Sequence, residues 1–156
     1  FKIISKLFDT NPIQGNFAHL YHIDVNDSEY ILKLRLEERN DNFLQMKGNE
    51  VFKVAVKTLE RIAMDSLKEA NMTAEDIDWF IPHQANIRII QAVSKRLNIS
   101  EDKVVISLTN HGNTSAASIP LALDQSIREG KIKNGDTVLL QSFGAGFTWG
   151  TVILEI

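Results

Sequence analysis

The 156-residue sequence contains no cysteine. This absence excludes disulfide bonds, thiolate metal sites and a cysteine nucleophile supplied by these residues. No apolar run approaches the roughly 18 residues that a membrane-spanning helix needs. The formal net charge of -3 is also small, so the chain has no strong overall field to attract nucleic acid or an anionic membrane. We therefore expect neither as a partner, and an acidic protein partner has to be met by a local group of basic residues.

The sequence begins at Phe1 and enters directly into the apolar-rich "FKIISKLF". This segment lacks the charged and then apolar organisation of a signal peptide and has no cleavage site. We therefore expect the chain to be part of a longer polypeptide in the cytoplasm. Since 44% of the residues are hydrophobic, we also expect a globular unit with a substantial core.

The first half of the chain changes from a strand pattern to a helix pattern. Alternating apolar and polar residues predict two or three short strands or extended loops up to about Arg39. Residues 51–69 then place their apolar side chains on one helix face and lysines on the other. The apolar run "WFIP" predicts a buried strand that ends at Pro82, and a second amphipathic helix is predicted over residues 84–97.

The second half continues the alternation of strands and helices. "KVVISLT" is predicted to be a buried strand, and "TSAASIPLALDQSIREG" a helix that Gly130 ends. "GDTVLLQSF" and "FTWGTVILEI" are predicted strands joined by the turn "GAG". Such alternation favours an α/β layered fold with a sheet covered by helices on both faces. In such folds ligands bind where the loops leave the ends of the strands.

Two polar side chains follow predicted strands and are candidates for a site. His83 stands between the strand "WFIP" and the second helix, and Asn113 stands at the next predicted strand-to-helix junction, beside Gly112. An imidazole and a carboxamide presented together offer two directed hydrogen-bond donors to one oxygen, which suits a thioester carbonyl that becomes an enolate. A lone histidine at such a junction also fits a simple helix cap. His19 and His22 have no evident partner ligands, so no metal site is predicted.

Four motifs together carry a resemblance to a known family. The segments "GNEVFKVAV", "DWFIPHQANIRII", "HGNTSAASIPLALD" and "FGAGFTWG", in this order and spacing, closely resemble the C-terminal half of β-ketoacyl-acyl carrier protein synthase III. This resemblance implies a thiolase-like fold, with residues 1–45 as the end of the N-terminal half and a connecting segment, and residues 46–156 as the C-terminal domain. It also implies a homodimer.

The resemblance further implies an activity and its residues. The family uses a Cys-His-Asn triad to join an acetyl group from acetyl-CoA to malonyl-acyl carrier protein, with loss of carbon dioxide, which starts fatty acid synthesis. His83 and Asn113 match the two donor positions, while the cysteine belongs to the N-terminal half. Asn86 matches a position that orders the site, Phe143 matches the wall beside the nucleophile, and the Ala145 amide matches an oxyanion-hole glycine. No cofactor is implied, because coenzyme A and 4'-phosphopantetheine thioesters are substrates.

Basic residues match the family's binding surface for the acidic acyl carrier protein. Arg88 matches the key arginine, and Lys53, Lys95 and Arg96 match other basic positions. An arginine that pairs with a phosphate or carboxylate through two hydrogen bonds is the better anchor, whereas lysines act as point charges. Without the resemblance, the pattern is equally explained by two amphipathic helices whose basic faces are only exposed to solvent.

Two other functions remain open at the level of the sequence. The chain can be a noncatalytic module that binds a carrier protein through its basic helix faces, because it lacks the cysteine needed for covalent catalysis. It can also belong to another thiolase-fold condensing enzyme that acts on coenzyme A thioesters, such as a polyketide-type synthase. The motifs "HGNTSAAS" and "GFTWG" favour the fatty acid enzyme.

Overall fold

The computed structural model describes residues 2–10, 48–144 and 147–156, the first of these ranges by its backbone only. The described regular elements are, in chain order, β1 (Lys2–Thr10), α1 (Gly48–Glu69), β2 (Trp79–Pro82), α2 (Ile87–Arg96), α3 (Leu108–His111), α4 (Ser118–Arg128), β3 (Thr137–Gly144) and β4 (Thr148–Glu155). Short 3-10 turns occupy Ala74–Asp76, Glu101–Lys103 and Ser115–Ala117.

The four described strands form one mixed sheet in the order β1-β4-β3-β2. β2 and β3 are parallel, whereas β4 is antiparallel to both of its neighbours, β3 and β1. In the parallel pair Phe80 lies opposite Leu139, and Pro82 lies opposite Gln141. The strands of "WFIP", "GDTVLLQSF" and "FTWGTVILEI" are therefore confirmed.

Helices cover both faces of the sheet. Successive side chains of a strand point to opposite faces, so Leu139 packs with the core of α1 and α2 while its neighbour Val138 packs with the core that includes Ala122 of α4. Phe80 and Ile81 of β2 divide between the two cores in the same way. The prediction of an α/β layered fold with a sheet covered on both faces is confirmed.

The long helix α1 buries the face that its sequence predicts. The buried residues recur at helical spacing and include Ala55, Leu59, Ile62 and Ala63, while Lys57 lies on the exposed side. Fully burying a leucine or isoleucine side chain stabilises a fold by about 1.5–3 kcal/mol. This face therefore anchors α1 to the sheet and fixes one wall of the cavity described below.

Two segments of the second half differ from their predicted structure. "KVVISLT" is not a strand: it forms a single bridge between Val104 and Phe80 and then enters α3. Its apolar residues are buried because Val104 packs into one core and Val105 into the other. The predicted single helix from Thr114 is divided into a 3-10 turn and α4, which starts at Ser118.

The end of α4 agrees with its sequence. Gly130 adopts a positive φ of 70° just after the helix, and the Gly130 N–H donates to the carbonyl of Ile127 at 3.0 Å. A left-handed residue after the last helical turn is most often glycine, because a Cβ is strained there. The predicted helix end at Gly130 is confirmed.

Several predictions lie outside the described residues. These are the strands or loops expected between residues 11 and 39, and the boundary between residues 45 and 46, which stays a prediction. His19, His22 and Ala145 also lie outside them. Within the described ranges, no helix combines the length and the apolar character needed to cross a membrane.

Candidate active site

His83 is held at the end of the parallel strand pair. Its N–H donates to the carbonyl of Gln141 at 2.7 Å, one residue beyond the last paired residue, Pro82. The half-buried imidazole lines a cavity of about 40 Å³ between the sheet, α1 and α2. Apolar side chains such as Leu59 and Val93 form part of its walls, and Asn86 and Gln141 also line it. A cavity of this size admits a few water molecules.

The surroundings of His83 disfavour the charged form of its imidazole. Burial lowers the pKa of His83 below its ordinary value of 6.5, because desolvation disfavours the charged ring. The ring Nδ1 lies 2.6 Å from Oγ of Ser118, the first residue of α4. Among the described residues, Nε2 makes no hydrogen bond. Nδ1 of His83 is thus held by the protein, and Nε2 is left for a ligand. This arrangement allows Nε2 to donate a hydrogen bond to a ligand oxygen.

Gln84 is a polar residue that sequence reasoning missed. Its side chain is fully buried, and Nε2 donates to the carbonyls of Pro82 at 2.7 Å and Val105 at 3.1 Å. Oε1 accepts from the N–H groups of Ser107 at 2.9 Å and Leu108 at 3.1 Å. One side chain therefore fastens the strand end that carries His83 to the segment that leads to Asn113. Gln84 is the second residue after the apolar strand β2, and its polar character alone does not distinguish it from a surface residue.

Gln141 brings an unpaired acceptor to the cavity. It is 1% exposed, and Nε2 donates to the carbonyl of Leu59 at 2.8 Å. This carbonyl fixes the orientation of the amide, since the flipped amide would place two oxygens together. Oε1 has no hydrogen-bond partner within the part of the chain that the structure describes. A buried acceptor without a partner costs about 1–3 kcal/mol, so a water molecule or a ligand donor at this position stabilises the site.

Asn113 lies in a strained and exposed loop. Its Oδ1 accepts from the N–H of Ser115 at 2.9 Å, which leaves Nδ2 as a donor. Gly112 has φ +67° and ψ -160°, a conformation that is open almost only to glycine, and Ser115 has φ +54°. Strained backbone of this kind clusters at functional sites. The predicted strand-to-helix junction is wrong, however, because Asn113 follows the short helix α3.

The loop of Asn113 is connected to His83 through Ser118. The backbone N–H of Gln84 donates to Oγ of Ser118 at 3.2 Å, and the same oxygen contacts His83. In the described residues, no hydrogen bond joins His83 directly to Asn113. Ser118 thus connects the segment of Asn113 to the strand end that carries His83. The convergence of the two side chains on one ligand oxygen stays a prediction.

The other predicted wall residues have distinct contacts. Asn86 is exposed and caps α2, because its Oδ1 accepts from the N–H of Arg88 at 2.9 Å. Such a cap typically stabilises a helix by about 1 kcal/mol. The Phe143 ring lies 4.9 Å from the Phe147 ring and stacks on Trp149 at 6.4 Å between centroids. Asn86 therefore orders the backbone after His83, and Phe143 forms an aromatic side of the cavity.

The predicted basic residues are all exposed. They lie on α1 and α2, two helices that contact one another. The Arg88 guanidinium lies 5.7 Å from the centre of the Phe52 ring, a cation–π distance. Arg96 forms an ion pair with Glu60 at 2.5 Å, so part of its charge is balanced within the chain. Arg88 has no such acidic partner among the described residues.

No metal site is formed by the described residues, since they contain no group of three or more histidine, aspartate and glutamate side chains that could hold an ion. The polar groups of the cavity are instead an imidazole and amides. Neutral donors and acceptors of this kind stabilise charge on an oxygen by hydrogen bonding.

Comparisons with known proteins identify the family and the fold of the chain. Residues 67–156 match the family model "3-Oxoacyl-[acyl-carrier-protein (ACP)] synthase III C terminal". The β-ketoacyl-[acyl-carrier-protein] synthase III of Campylobacter curvus is 54% identical over 141 residues, which cover 90% of this chain and 42% of that protein. The solved synthase III of Thermus thermophilus aligns with a TM-score of 0.81 and 36% identity, over 99% of this chain and 46% of that chain.

A polyketide enzyme is also among the solved relatives. The priming β-ketosynthase of the R1128 polyketide biosynthetic pathway aligns with a TM-score of 0.69 and 38% identity, over 72% of this chain and 34% of that chain. The shared fold therefore extends beyond fatty acid synthesis.

The fold is that of one half of a thiolase-like condensing enzyme. The chain belongs to the 3-oxoacyl-[acyl-carrier-protein] synthase III C-terminal family. It spans less than half the length of the curated relatives that it matches, 46% in the case of the Vesicomyosocius okutanii synthase III. The motif resemblance is thus confirmed as a family relationship.

Proposed function

We propose that this chain supplies the malonyl-decarboxylating part of a β-ketoacyl-acyl carrier protein synthase III. His83 Nε2 and Asn113 Nδ2 are the proposed donors to the thioester oxygen of the malonyl substrate. The observation that supports the proposal is the setting of His83: it is half-buried at a strand end, burial lowers its pKa, and its Nδ1 contacts Ser118 while Nε2 makes no hydrogen bond among the described residues.

The two donors act on the charge that develops in the reaction. When the bond between the malonyl carboxylate and Cα breaks, carbon dioxide leaves and the electron pair moves onto the thioester oxygen as an enolate. Each directed donor to such an oxygen lowers the barrier by roughly 3–4 kcal/mol. The enolate carbon then attacks the acetyl thioester on an enzyme cysteine, a carbon–carbon bond forms, and the thiolate leaves.

The cysteine of that second step must come from outside these 156 residues, because they contain none. A thiolate nucleophile is required to hold the acetyl group between the two half-reactions. The proposal therefore assigns decarboxylation to this chain and acylation to a part of the enzyme that carries a thiol.

The proposed partners follow from the same assignment. Acetyl-CoA and malonyl-acyl carrier protein are the substrates, and the exposed Arg88, with Lys53, Lys95 and Arg96, is the docking surface for the acidic carrier protein. The exposure of Arg88 beside Phe52 supports this surface, since its charge has no acidic partner among the described residues. We also propose a cytoplasmic homodimer.

The alternative of a noncatalytic carrier-protein module makes a different prediction. It needs only the basic faces of α1 and α2, whereas the enzyme also needs the loop of Asn113. The strain in that loop favours the enzyme, because a positive φ at Ser115 has a cost that carrier binding through the two helices does not require.

A chimera separates the two functions. Residues 48–156 of this chain replace the matching part of the Campylobacter curvus synthase III, which retains its own N-terminal part. We expect the chimera to condense acetyl-CoA with malonyl-acyl carrier protein. A chimera that folds and binds the carrier protein but forms no condensation product would contradict the enzyme assignment and favour the binding module.

A further inference from the structure

Ser118 stands at the meeting point of two hydrogen-bonding groups. Its side chain is 1% exposed, so its hydroxyl is closed to solvent. Oγ accepts the backbone N–H of Gln84 at 3.2 Å and lies 2.6 Å from Nδ1 of His83. No other hydrogen bond of this hydroxyl is found among the described residues. For a neutral imidazole, the geometry therefore limits the proton positions in this group to two arrangements.

The first arrangement places a proton on Nδ1. The imidazole then donates to Oγ, which already accepts from Gln84, and the hydroxyl proton of Ser118 has no acceptor among the described residues. A buried donor without a partner costs about 1–3 kcal/mol. This arrangement is therefore the less stable of the two.

The second arrangement leaves Nδ1 without a proton. The Ser118 hydroxyl then donates to Nδ1, while Oγ still accepts from the Gln84 N–H. A hydroxyl has one donor and two acceptor positions, so Nδ1, the Ser118 hydroxyl and the Gln84 N–H are all satisfied. The neutral imidazole carries its proton on Nε2 in this case.

We propose that Ser118 is a positioning residue that fixes His83 as the Nε2–H tautomer by donating its hydroxyl proton to Nδ1. Gln84 sets the direction of this donation, because its N–H occupies Oγ and turns the hydroxyl proton towards the ring. The tautomer assignment rests on the hydrogen-bond geometry alone. Its catalytic consequence, a permanent N–H donor towards a thioester oxygen, rests on the proposed function.

A protonated ring is also disfavoured by the same group. An imidazolium carries protons on both nitrogens, and the Ser118 hydroxyl would again lose the one acceptor that the described residues offer it. Burial lowers the pKa of His83 in the same direction. Ser118 thus selects the neutral donor against both of the other proton states of the ring.

The test is a long-range proton–nitrogen NMR spectrum of the 15N-labelled 156-residue chain, recorded well above the ordinary pKa of histidine. The His83 signals are assigned by their absence from the His83→Gln variant. We expect a protonated Nε2 and an unprotonated, hydrogen-bonded Nδ1. A proton on Nδ1 in the unmodified chain, with His83→Gln giving the spectrum of a folded chain, overturns the tautomer assignment.

Three substitutions test the role of the hydroxyl itself. Ser118→Ala should remove the hydrogen-bond shift of the Nδ1 signal and raise the population of the Nδ1–H tautomer, whereas Ser118→Thr, which keeps a hydroxyl, should retain both. Ser126→Ala is the matched control, because Ser126 is also buried in α4 but has no described contact with His83. An unchanged Nδ1 signal in folded Ser118→Ala contradicts the proposal.

The spectrum does not depend on turnover. A chimera that folds and binds the carrier protein but does not condense its substrates overturns the proposed function and leaves the tautomer assignment intact. An Nδ1–H spectrum from an active chimera overturns the tautomer assignment alone.

Discussion

The backbone N–H of His83 donates to the carbonyl of Gln141 at 2.7 Å, and this bond continues the parallel pairing of β2 and β3 past Pro82. The proline ends the strand because its nitrogen has no proton to donate. His83 is nevertheless kept in register with the sheet. Its imidazole is therefore positioned by a rigid element instead of a free loop, which is the support that the proposed donor role requires.

Stability should depend on pH through His83. Above its ordinary pKa of 6.5, the ring is neutral in both the folded and the unfolded chain. In this range His83 does not make the free energy of unfolding depend on pH. Burial lowers the folded pKa, so below pH 6.5 the unfolded chain binds a proton that the folded chain does not. The free energy of unfolding should fall as the pH drops from 6.5 towards the folded pKa.

Denaturant unfolding of the chain and of His83→Gln at stepped pH measures this contribution. The variant should lose the part of the slope that His83 supplies, and the exposed His111→Gln serves as the control. Equal slopes in the parent chain and His83→Gln would show that the folded pKa of His83 is not lowered.

Gln84→Glu should destabilise the fold strongly although it preserves the shape of the side chain. The carboxylate places oxygen against the carbonyls of Pro82 and Val105, which now accept from Nε2. We expect a loss of about 3 kcal/mol or more in the free energy of unfolding. Gln91→Glu, an exposed change of the same chemistry on α2, should stay within about 0.5 kcal/mol. Similar losses in both variants would mean that the Gln84 network is not formed.

Asn113→Asp should distinguish the role of the Asn113 amide as a donor from its role in holding the loop. Aspartate keeps the oxygen that accepts from Ser115, but it has no amide protons and adds a negative charge beside the proposed enolate. In the chimera we expect malonyl decarboxylation to fall by about 10²-fold or more. Asn110→Asp, an exposed change in α3, should leave the rate unchanged. Decarboxylation at the parent rate by Asn113→Asp would exclude its amide as a donor.

Arg88→Glu should weaken binding of acyl carrier protein to the 156-residue chain by roughly tenfold, with a larger effect at low salt, because exposed charges act through a screened field. Arg128→Glu makes the same charge change on α4, on the opposite face of the sheet, and should have little effect. Binding is measured by titration at two ionic strengths. Equal losses in the two variants would indicate a general charge effect, without a docking surface at Arg88.

Regular periodicity made much of the fold predictable from the sequence. The buried face of α1 and the strand that ends at Pro82 were predicted correctly, because apolar spacing and proline act locally. The prediction of a strand at "KVVISLT" was wrong for a physical reason. Val104 and Val105 are consecutive apolar residues that pack into two different cores. Consecutive residues of a buried strand do the same, so the sequence pattern does not distinguish the two structures.

The candidate site was predictable only in part. The motif residues His83 and Asn113 were found, whereas the roles of Gln84 and Ser118 were not. These two residues lie 34 positions apart, and their hydrogen bond exists only after α4 packs against β2. Local sequence carries no signal for such a contact, since serine and glutamine are ordinary surface residues.

The role of His83 as a donor is tested most directly by comparing two half-reactions of the chimera with those of its His83→Ala variant. Malonyl decarboxylation is followed as carbon dioxide release, and acetylation of the cysteine is followed by mass. We expect His83→Ala to slow decarboxylation by about 10²–10³-fold with acetylation largely retained, while the exposed His111→Ala changes neither. Decarboxylation at the parent rate in folded His83→Ala would exclude His83 as a donor to the malonyl thioester oxygen.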